Sequence, residues 1–243
     1  MSPATARTLF VTGTDTSVGK THAACALLAR ARREGVRACG YKPVAAGGVR
    51  DNGQVRNEDV LALQHAAGTR EPYAAINTYT FERAIAPHLA ARAEHARVQV
   101  TRLHDAHAQL AQRHELVVVE GAGGWQVPLN DDLTFAGWVA QQGWPVLLVV
   151  GMRLGCLNHA LLSVESIARR TRLLGWIANV LPPEQEALAD NIETLRALVP
   201  APLYGVLPAR GGIEAAADAL DFSALWTALT RRDEIEDDEP QGV

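Results

Sequence analysis

Lysine is nearly absent from this 243-residue chain. Of its 23 basic residues only Lys20 and Lys42 are lysines; the rest are arginines. A chain that uses arginine wherever a generic cation serves singles out its two lysines for work that needs a compact ammonium on a flexible stem. Cysteine is scarce too. Cys25, Cys39 and Cys156 form an odd set without CxxC spacing, which argues against a disulfide framework or a zinc knuckle. Cys25 and Cys39 lie in apolar contexts that suit small core residues. No apolar run reaches the ~18 residues of a membrane span. The first residues lack the apolar stretch and cleavage site of a signal peptide, so a soluble, cytoplasmic protein is expected. Basic excess is also missing: the formal net charge is −4, and neither it nor the charge pattern resembles the basic patch of a nucleic-acid binder. Six acids, Asp233, Glu234, Glu236, Asp237, Asp238 and Glu239, crowd the end of the chain. They read as a disordered, solubilising tail over 230–243, after a single domain spanning 1–229.

What is present alternates. Short apolar runs (Leu9 to Thr12, Val36 to Tyr41, Val117 to Val119, Val146 to Val150, Trp176 to Val180, Leu203 to Leu207) are separated by helix-length segments. Those segments are Lys20 to Glu34, Val100 to Arg113, Thr134 to Gln142, Leu157 to Arg172 and Glu184 to Leu198. Unbroken β-branched runs such as VVVE and VLLVV indicate strands covered on both faces. The alternation predicts an α/β fold: a single-domain, doubly wound, mostly parallel sheet. Ala45 to Asn57 reads as a polar, Gly-rich loop after a strand end, where open α/β sheets place ligands.

Gly13-Thr14-Asp15-Thr16-Ser17-Val18-Gly19-Lys20-Thr21 follows the first strand and opens the first helix. Such a loop cradles phosphate with successive backbone N–H groups and a helix N-terminus. Lys20 is placed to reach the outer phosphates and the Thr21 hydroxyl to ligate Mg²⁺. Five residues rather than four separate Gly13 from Gly19, a departure from the usual spacing. Mg²⁺ on a nucleotide commonly takes one or two carboxylates as well. Glu120, at the end of VVVE and before Gly121-Ala122-Gly123-Gly124, is the leading candidate. Asp59 is weaker on spacing alone, because it is also suited to capping a helix that begins there. Lys42 follows the second strand and is expected to face the same phosphates; the alternative is a lysine snorkelling into solvent.

Taken in order, these motifs resemble a family. Gly13-Thr14-Asp15-Thr16 with Val18-Gly19-Lys20-Thr21, then Gly40-Tyr41-Lys42-Pro43-Val44, Glu120-Gly121-Ala122-Gly123-Gly124-Trp125 and Gly155-Cys156-Leu157-Asn158-His159-Ala160 look like dethiobiotin synthase. The likeness runs from about Thr8 to Leu207. It implies a P-loop NTPase-like fold and closure of a cyclic urea on 7,8-diaminononanoate with CO₂, ATP and Mg²⁺, through a carbamate and a mixed carbamic–phosphoric anhydride. By matched positions, Lys42 stabilises the carbamate and the transferring phosphate, and Thr16 lies beside both. Lys20 and the backbone of Ser17, Val18, Gly19 and Thr21 hold ATP, with His22 following and Gly121, Ala122 and Gly123 giving backbone approach. Thr21, Asp59 and Glu120 form the expected Mg²⁺ shell. Asn179 matches an adenine-recognition position, with Pro208, Ala209 and Arg210 lining the base pocket. The family acts as a homodimer in which Gly155, Cys156, Leu157 and Asn158 reach the partner's substrate carboxylate. Ala46 stands where many relatives carry a serine, so one hydroxyl contact to substrate is missing or replaced.

Two rival readings remain in view. A cobyrinate amidase-like ligase would carry an added glutaminase domain, for which 243 residues leave no room. A ParA/MinD-like partitioning ATPase carries a lysine five residues before the loop lysine, where this chain has Asp15. The histidines are set aside: His104 and His107 share a predicted helix without a third ligand in reach.

Overall fold

A computed structural model describes residues 6–231. The strands are β1 (Arg7–Gly13), β2 (Ala38–Tyr41), β3 (Val44–Ala46), β4 (Val49–Asp51), β5 (Gln54–Arg56), β6 (Tyr79–Phe81), β7 (Leu116–Glu120), β8 (Val146–Met152), β9 (Leu173–Val180) and β10 (Leu203–Leu207). The helices are α1 (Lys20–Arg33), α2 (Glu58–Ala67), α3 (Tyr73–Ile76), α4 (Pro87–Ala93), α5 (Val100–Ala111), α6 (Phe135–Gln142), α7 (Cys156–Ala168), α8 (Leu188–Leu198), α9 (Gly212–Asp218) and α10 (Phe222–Thr230).

Six strands form one parallel sheet in the order β10-β9-β8-β1-β7-β2. Side chains alternate across it with period two. From β1, Leu9 and Val11 enter the apolar layer under α1, α9 and α10, while Phe10 enters the opposite layer, built with α5, α6, α7 and α8. Helices on both faces make every central strand a buried one, which is why β7 and β8 read as unbroken apolar runs. The doubly wound parallel fold is therefore the observed one. Trp125, Trp138, Trp144 and Trp176 are buried core residues, as their apolar surroundings suggest.

The segment expected to be a loop over 45–57 is more ordered than its composition indicates. Residues 44–46 form β3, which pairs in parallel with β6. β4 and β5 form an antiparallel hairpin closed by Asn52 and Gly53, both at positive φ. That is the Asn-Gly turn whose twist suits a two-residue hairpin. The helix expected from Glu184 starts only at Leu188, after a left-handed Ala187. Helix α10 runs through Thr230, and the acidic segment from residue 232 onward lies outside the described residues.

Candidate active site

Strand register assembles the site. Val11 of β1 lies opposite Glu120 of β7, and Tyr41 of β2 lies opposite Val119. The residue after Tyr41 is Lys42, so parallel pairing carries its side chain to Glu120. The Lys42 backbone is fixed on both sides: its N–H donates to the Ile76 carbonyl at 2.8 Å, and its carbonyl accepts from Asn77 Nδ2 at 2.6 Å.

Lys42 is 4% exposed, so the snorkelling alternative is excluded. Its Nζ donates to Glu120 Oε1 at 2.5 Å and to Asp59 Oδ2 at 2.8 Å. Burial opposes the ammonium charge, but the two carboxylates outweigh it and hold the Lys42 pKa above the ordinary value. Burial would likewise raise Asp59; the adjacent Lys42 reverses that and holds it below the usual carboxylate range. Glu120 is fully buried. Its Oε1 also accepts from Thr21 Oγ1 at 2.7 Å, and its Oε2 is buried without a partner. The helix-capping alternative for Asp59 does not hold. Asn57 caps α2 by accepting from the Asp59 N–H, which leaves the Asp59 carboxylate free to turn toward Lys42.

The loop from Gly13 to Gly19 wraps the start of α1. Ser17 and Gly19 have positive φ, and no side chain caps the helix, so its first N–H groups face the loop's concave side. Lys20 folds back to donate to the Asp15 carbonyl at 2.8 Å. Burial first, and repulsion from Lys42 second, lower its pKa to about 8. Asp15 also forms an ion pair with Arg153, tying the loop to the chain that leads into α7.

These groups open onto a cleft of about 600 Å³. Part of the lining is polar: Thr16, Lys20, Thr21, Lys42, Asp59 and Glu120. Part is apolar: Ala46, Ala84, Ile85, Ala86, Pro87 and Val127. Residues 84–87 and Val127 carry no motif; the β3–β6 pairing brings residues 84–87, the segment after β6, to the cleft, and Val127 arrives with the segment after β7. Ser17, Gly19, Ala122 and Gly123 also line the cleft. Val18 is buried beneath the loop, and Gly121 packs so closely on Phe10 that a Cβ would meet its ring at 2.8 Å. His22 is half-buried on α1, with its pKa lowered by burial.

The remaining sequence candidates lie elsewhere along the carboxyl edge of the sheet. Asn179 ends near β9's carboxyl terminus and donates from Nδ2 to the Val18 carbonyl at 2.9 Å. Pro208, Ala209 and Arg210 follow β10 at the surface. Gly155 begins α7 at φ 92°; Cys156 is buried, whereas Leu157 is partly exposed and Asn158 exposed. Among the described residues no group of three His, Cys, Asp or Glu side chains is arranged to hold a metal. One hydroxyl with two carboxylates suits a hard divalent ion that completes its shell with phosphate and water. The orphaned Glu120 Oε2 supplies a further oxygen to such an ion.

Comparison with known proteins bears on the fold and the family. A family model described as an AAA domain matches residues 7–217. Among solved structures, chloroplast FtsY from Physcomitrella patens (17% identical, TM-score 0.52) covers 94% of this chain, which spans 66% of that one. A ParA family ATPase from Chlorobium tepidum (12% identical, TM-score 0.51) covers 93% of this chain and 98% of its own. At such identities the likeness shows the fold alone. Fold and loop together define a P-loop nucleotide-binding enzyme.

Sequence relatives are more specific. The ATP-dependent dethiobiotin synthetase BioD 1 of Escherichia coli O157:H7 is 45% identical over 200 residues, 82% of this chain and 89% of that protein. The dethiobiotin synthetase BioD of Cellvibrio japonicus is 44% identical over 225 residues, 91% and 99% of the two chains. The chain belongs to the ATP-dependent dethiobiotin synthetase family, whose members are ligases of biotin biosynthesis.

Proposed function

We propose that this chain closes the cyclic urea of dethiobiotin from 7,8-diaminononanoate, CO₂ and ATP. The observation that carries the reading is that both lysines of a lysine-poor chain meet at one cleft, beside Thr21, Asp59 and Glu120. One substrate amine forms an N–C bond to CO₂ and loses a proton, giving a carbamate. A carbamate oxygen takes the γ-phosphoryl group and ADP leaves. The second amine attacks the carbonyl carbon and phosphate departs. Neutral amines are already nucleophiles, so positioning and charge neutralisation suffice, without a serine or cysteine nucleophile.

In this reading Lys20 and the backbone of Ser17, Val18, Gly19 and Thr21 hold the phosphates, with His22 on the same turn. Lys42 and Thr16 face the carbamate and transferring phosphoryl group. Gly121, Ala122 and Gly123 let backbone approach the ligand. Thr21, Asp59 and Glu120 hold Mg²⁺, which, when bound, neutralises charge on the phosphate oxygens. The apolar wall around Ala46, Ile85 and Val127 accepts the substrate's hydrocarbon chain. Asn179 with Pro208, Ala209 and Arg210 receives the adenine.

The reading includes a cytoplasmic homodimer in which Gly155, Cys156, Leu157 and Asn158 meet the partner's substrate carboxylate at the start of α7. Leu154, 97% exposed, and Leu162, 58% exposed, leave apolar surface at and beside that turn, which favours cover by a second copy. Among the described residues no helix is long and apolar enough to cross a membrane. The test is incubation with diaminononanoate, bicarbonate and MgATP, with mass-spectrometric detection of the cyclic urea. Product dependent on all three supports the reading. ATP hydrolysis that ignores the diamine, yet responds to DNA or lipid vesicles, would overturn it.

A further inference from the structure

We propose that the Lys42 ammonium is the resident cation on the metal-binding oxygens, and that it yields them to the divalent ion when nucleotide phosphate provides it with a new counter-charge. The proposal rests on the assignment of Thr21, Asp59 and Glu120 as metal ligands. Lys42 Nζ sits on Glu120 Oε1 and Asp59 Oδ2 at 2.5 and 2.8 Å, and Thr21 donates to the same Glu120 oxygen at 2.7 Å. The ammonium and a divalent ion therefore compete for Glu120 Oε1 and Asp59 Oδ2, and an ion reaching the unpartnered Glu120 Oε2 still lies against the ammonium. Two like charges that close, inside a poorly screened cleft, repel each other strongly.

Glu120 makes a cation obligatory. It is fully buried, and an uncompensated buried carboxylate is a severe defect. Lys42 meets that need in this structure, and a metal on the same carboxylate would meet it in its place. The lysine backbone is held by Ile76 and Asn77, so exchange requires movement of the side-chain stem alone. That stem lines the same cleft as Thr16 and Lys20, where an incoming phosphate would meet it. A lysine suits this task better than an arginine, since a flexible point charge can change partners without a fixed donor fork. Two consequences follow. Metal alone binds poorly, because it must expel a paired ammonium that has no alternative partner. Metal arriving with nucleotide releases Lys42 toward the phosphate, so metal loading sets the position of this lysine.

Two measurements on the full chain test this. Mn²⁺ binding is followed by electron paramagnetic resonance without nucleotide, for wild type, Lys42→Met and Lys42→Arg. Lys42→Met should bind Mn²⁺ at least ~10-fold more tightly than wild type, and Lys42→Arg should stay close to wild type. Equal affinity of wild type and Lys42→Met, or tight binding by Lys42→Arg, would overturn the proposal. The second measurement uses wild type and stands even if Lys42→Met fails to fold. With two lysines in the chain, ¹⁵N-lysine labelling gives two Nζ resonances. Mg²⁺ alone should leave the Lys42 resonance in place, and Mg²⁺ added to protein holding a non-hydrolysable ATP analogue should shift it. A full shift with Mg²⁺ alone, or none with both, would sink the idea. Glu120→Gln separates this from the underlying assignment: undiminished Mn²⁺ binding by that variant with the ATP analogue would remove the metal site itself, and the exchange with it.

Discussion

Asn179 and Gly19 fit together with no room to spare. A Cβ on Gly19 would lie 2.1 Å from Asn179 Nδ2, and Gly19 has φ 90°, where an L side chain is strained. The same Nδ2 donates to the Val18 carbonyl at 2.9 Å, so one buried amide sets the curvature of the phosphate loop from below. Gly19→Ala should therefore cost more than tenfold in ATP affinity, a loss of at least ~1.4 kcal/mol, while the core stays folded. Adding Asn179→Ala removes the collision but not the φ strain, so the double variant should recover part of the loss. Titration calorimetry with ATP checks both. A Gly19→Ala protein that binds like wild type would show that the loop does not need this conformation.

Lys42→Ala strips the partner from a fully buried Glu120. Breaking a buried pair from one side typically costs ~3–5 kcal/mol, and Asp59, which loses the same ammonium, adds a second negative charge nearby. Unfolding in urea should show that loss. Under the proposed mechanism turnover should fall by more than ~10², because the cation assigned to the transferring phosphoryl group is gone. ATP binding should remain largely intact, since the loop and Lys20 are untouched. Unchanged turnover would remove Lys42 from the chemistry.

Lys20→Ala should behave differently. Lys20 opens α1 directly after the loop and holds the loop through the Asp15 carbonyl. Its loss should weaken nucleotide binding and turnover together, each by roughly tenfold or more. Binding measured directly, beside steady-state kinetics, separates the two lysines. Wild-type behaviour in both would reject the phosphate-loop assignment.

The two lysines were legible in the sequence because their scarcity and their positions, one opening the helix after β1 and the other directly following β2, pointed the same way. The central strands were legible because double-sided burial leaves long β-branched runs. Asp59 was ambiguous for a physical reason: an acid near a helix start satisfies two roles equally well, and only the Asn57 cap decides between them. The apolar wall was invisible. Ala84, Ile85 and Ala86 have no periodicity, and their place in the cleft depends on the β3–β6 pairing, a non-local contact. The Asn52-Gly53 hairpin carried a signal that glycine-rich composition obscured.

His107 gives the fold a pH dependence remote from the cleft. Its Nε2 lies 2.9 Å from Thr8 Oγ1 and its ring centroid 4.4 Å from that of Trp144. Burial, followed by the charge of His104, lowers its pKa from 6.5 to about 4. The unfolded chain then binds more protons than the folded one between these values. Stability from the neutral imidazole is complete above pH 6.5 and drains away as pH falls toward 4, by at most about 3 kcal/mol. Urea unfolding of wild type and His107→Gln should converge across that window as pH falls. Parallel curves would exclude His107 as the source.

The shared-site reading yields a result that no single-chain site can imitate. Gly155→Asp places a negative charge at the start of α7; φ 92° strains the new side chain, but no atom lies within 4 Å of its Cβ and the turn is exposed, so the fold should survive while a substrate carboxylate is repelled. Each homodimer of Lys42→Ala or Gly155→Asp should be nearly inactive. If Lys42 of one subunit works with Gly155 of the other, a heterodimer of the two variants has one doubly altered site and one intact site. Activity should then reappear on mixing, in proportion to the heterodimer recovered by differential affinity tags. If each chain instead carries a whole site, every site in the heterodimer holds one lesion and mixing restores nothing. Silence from purified heterodimers would therefore place the carboxylate contact within one chain and leave α7's exposed first turn without a substrate to bind.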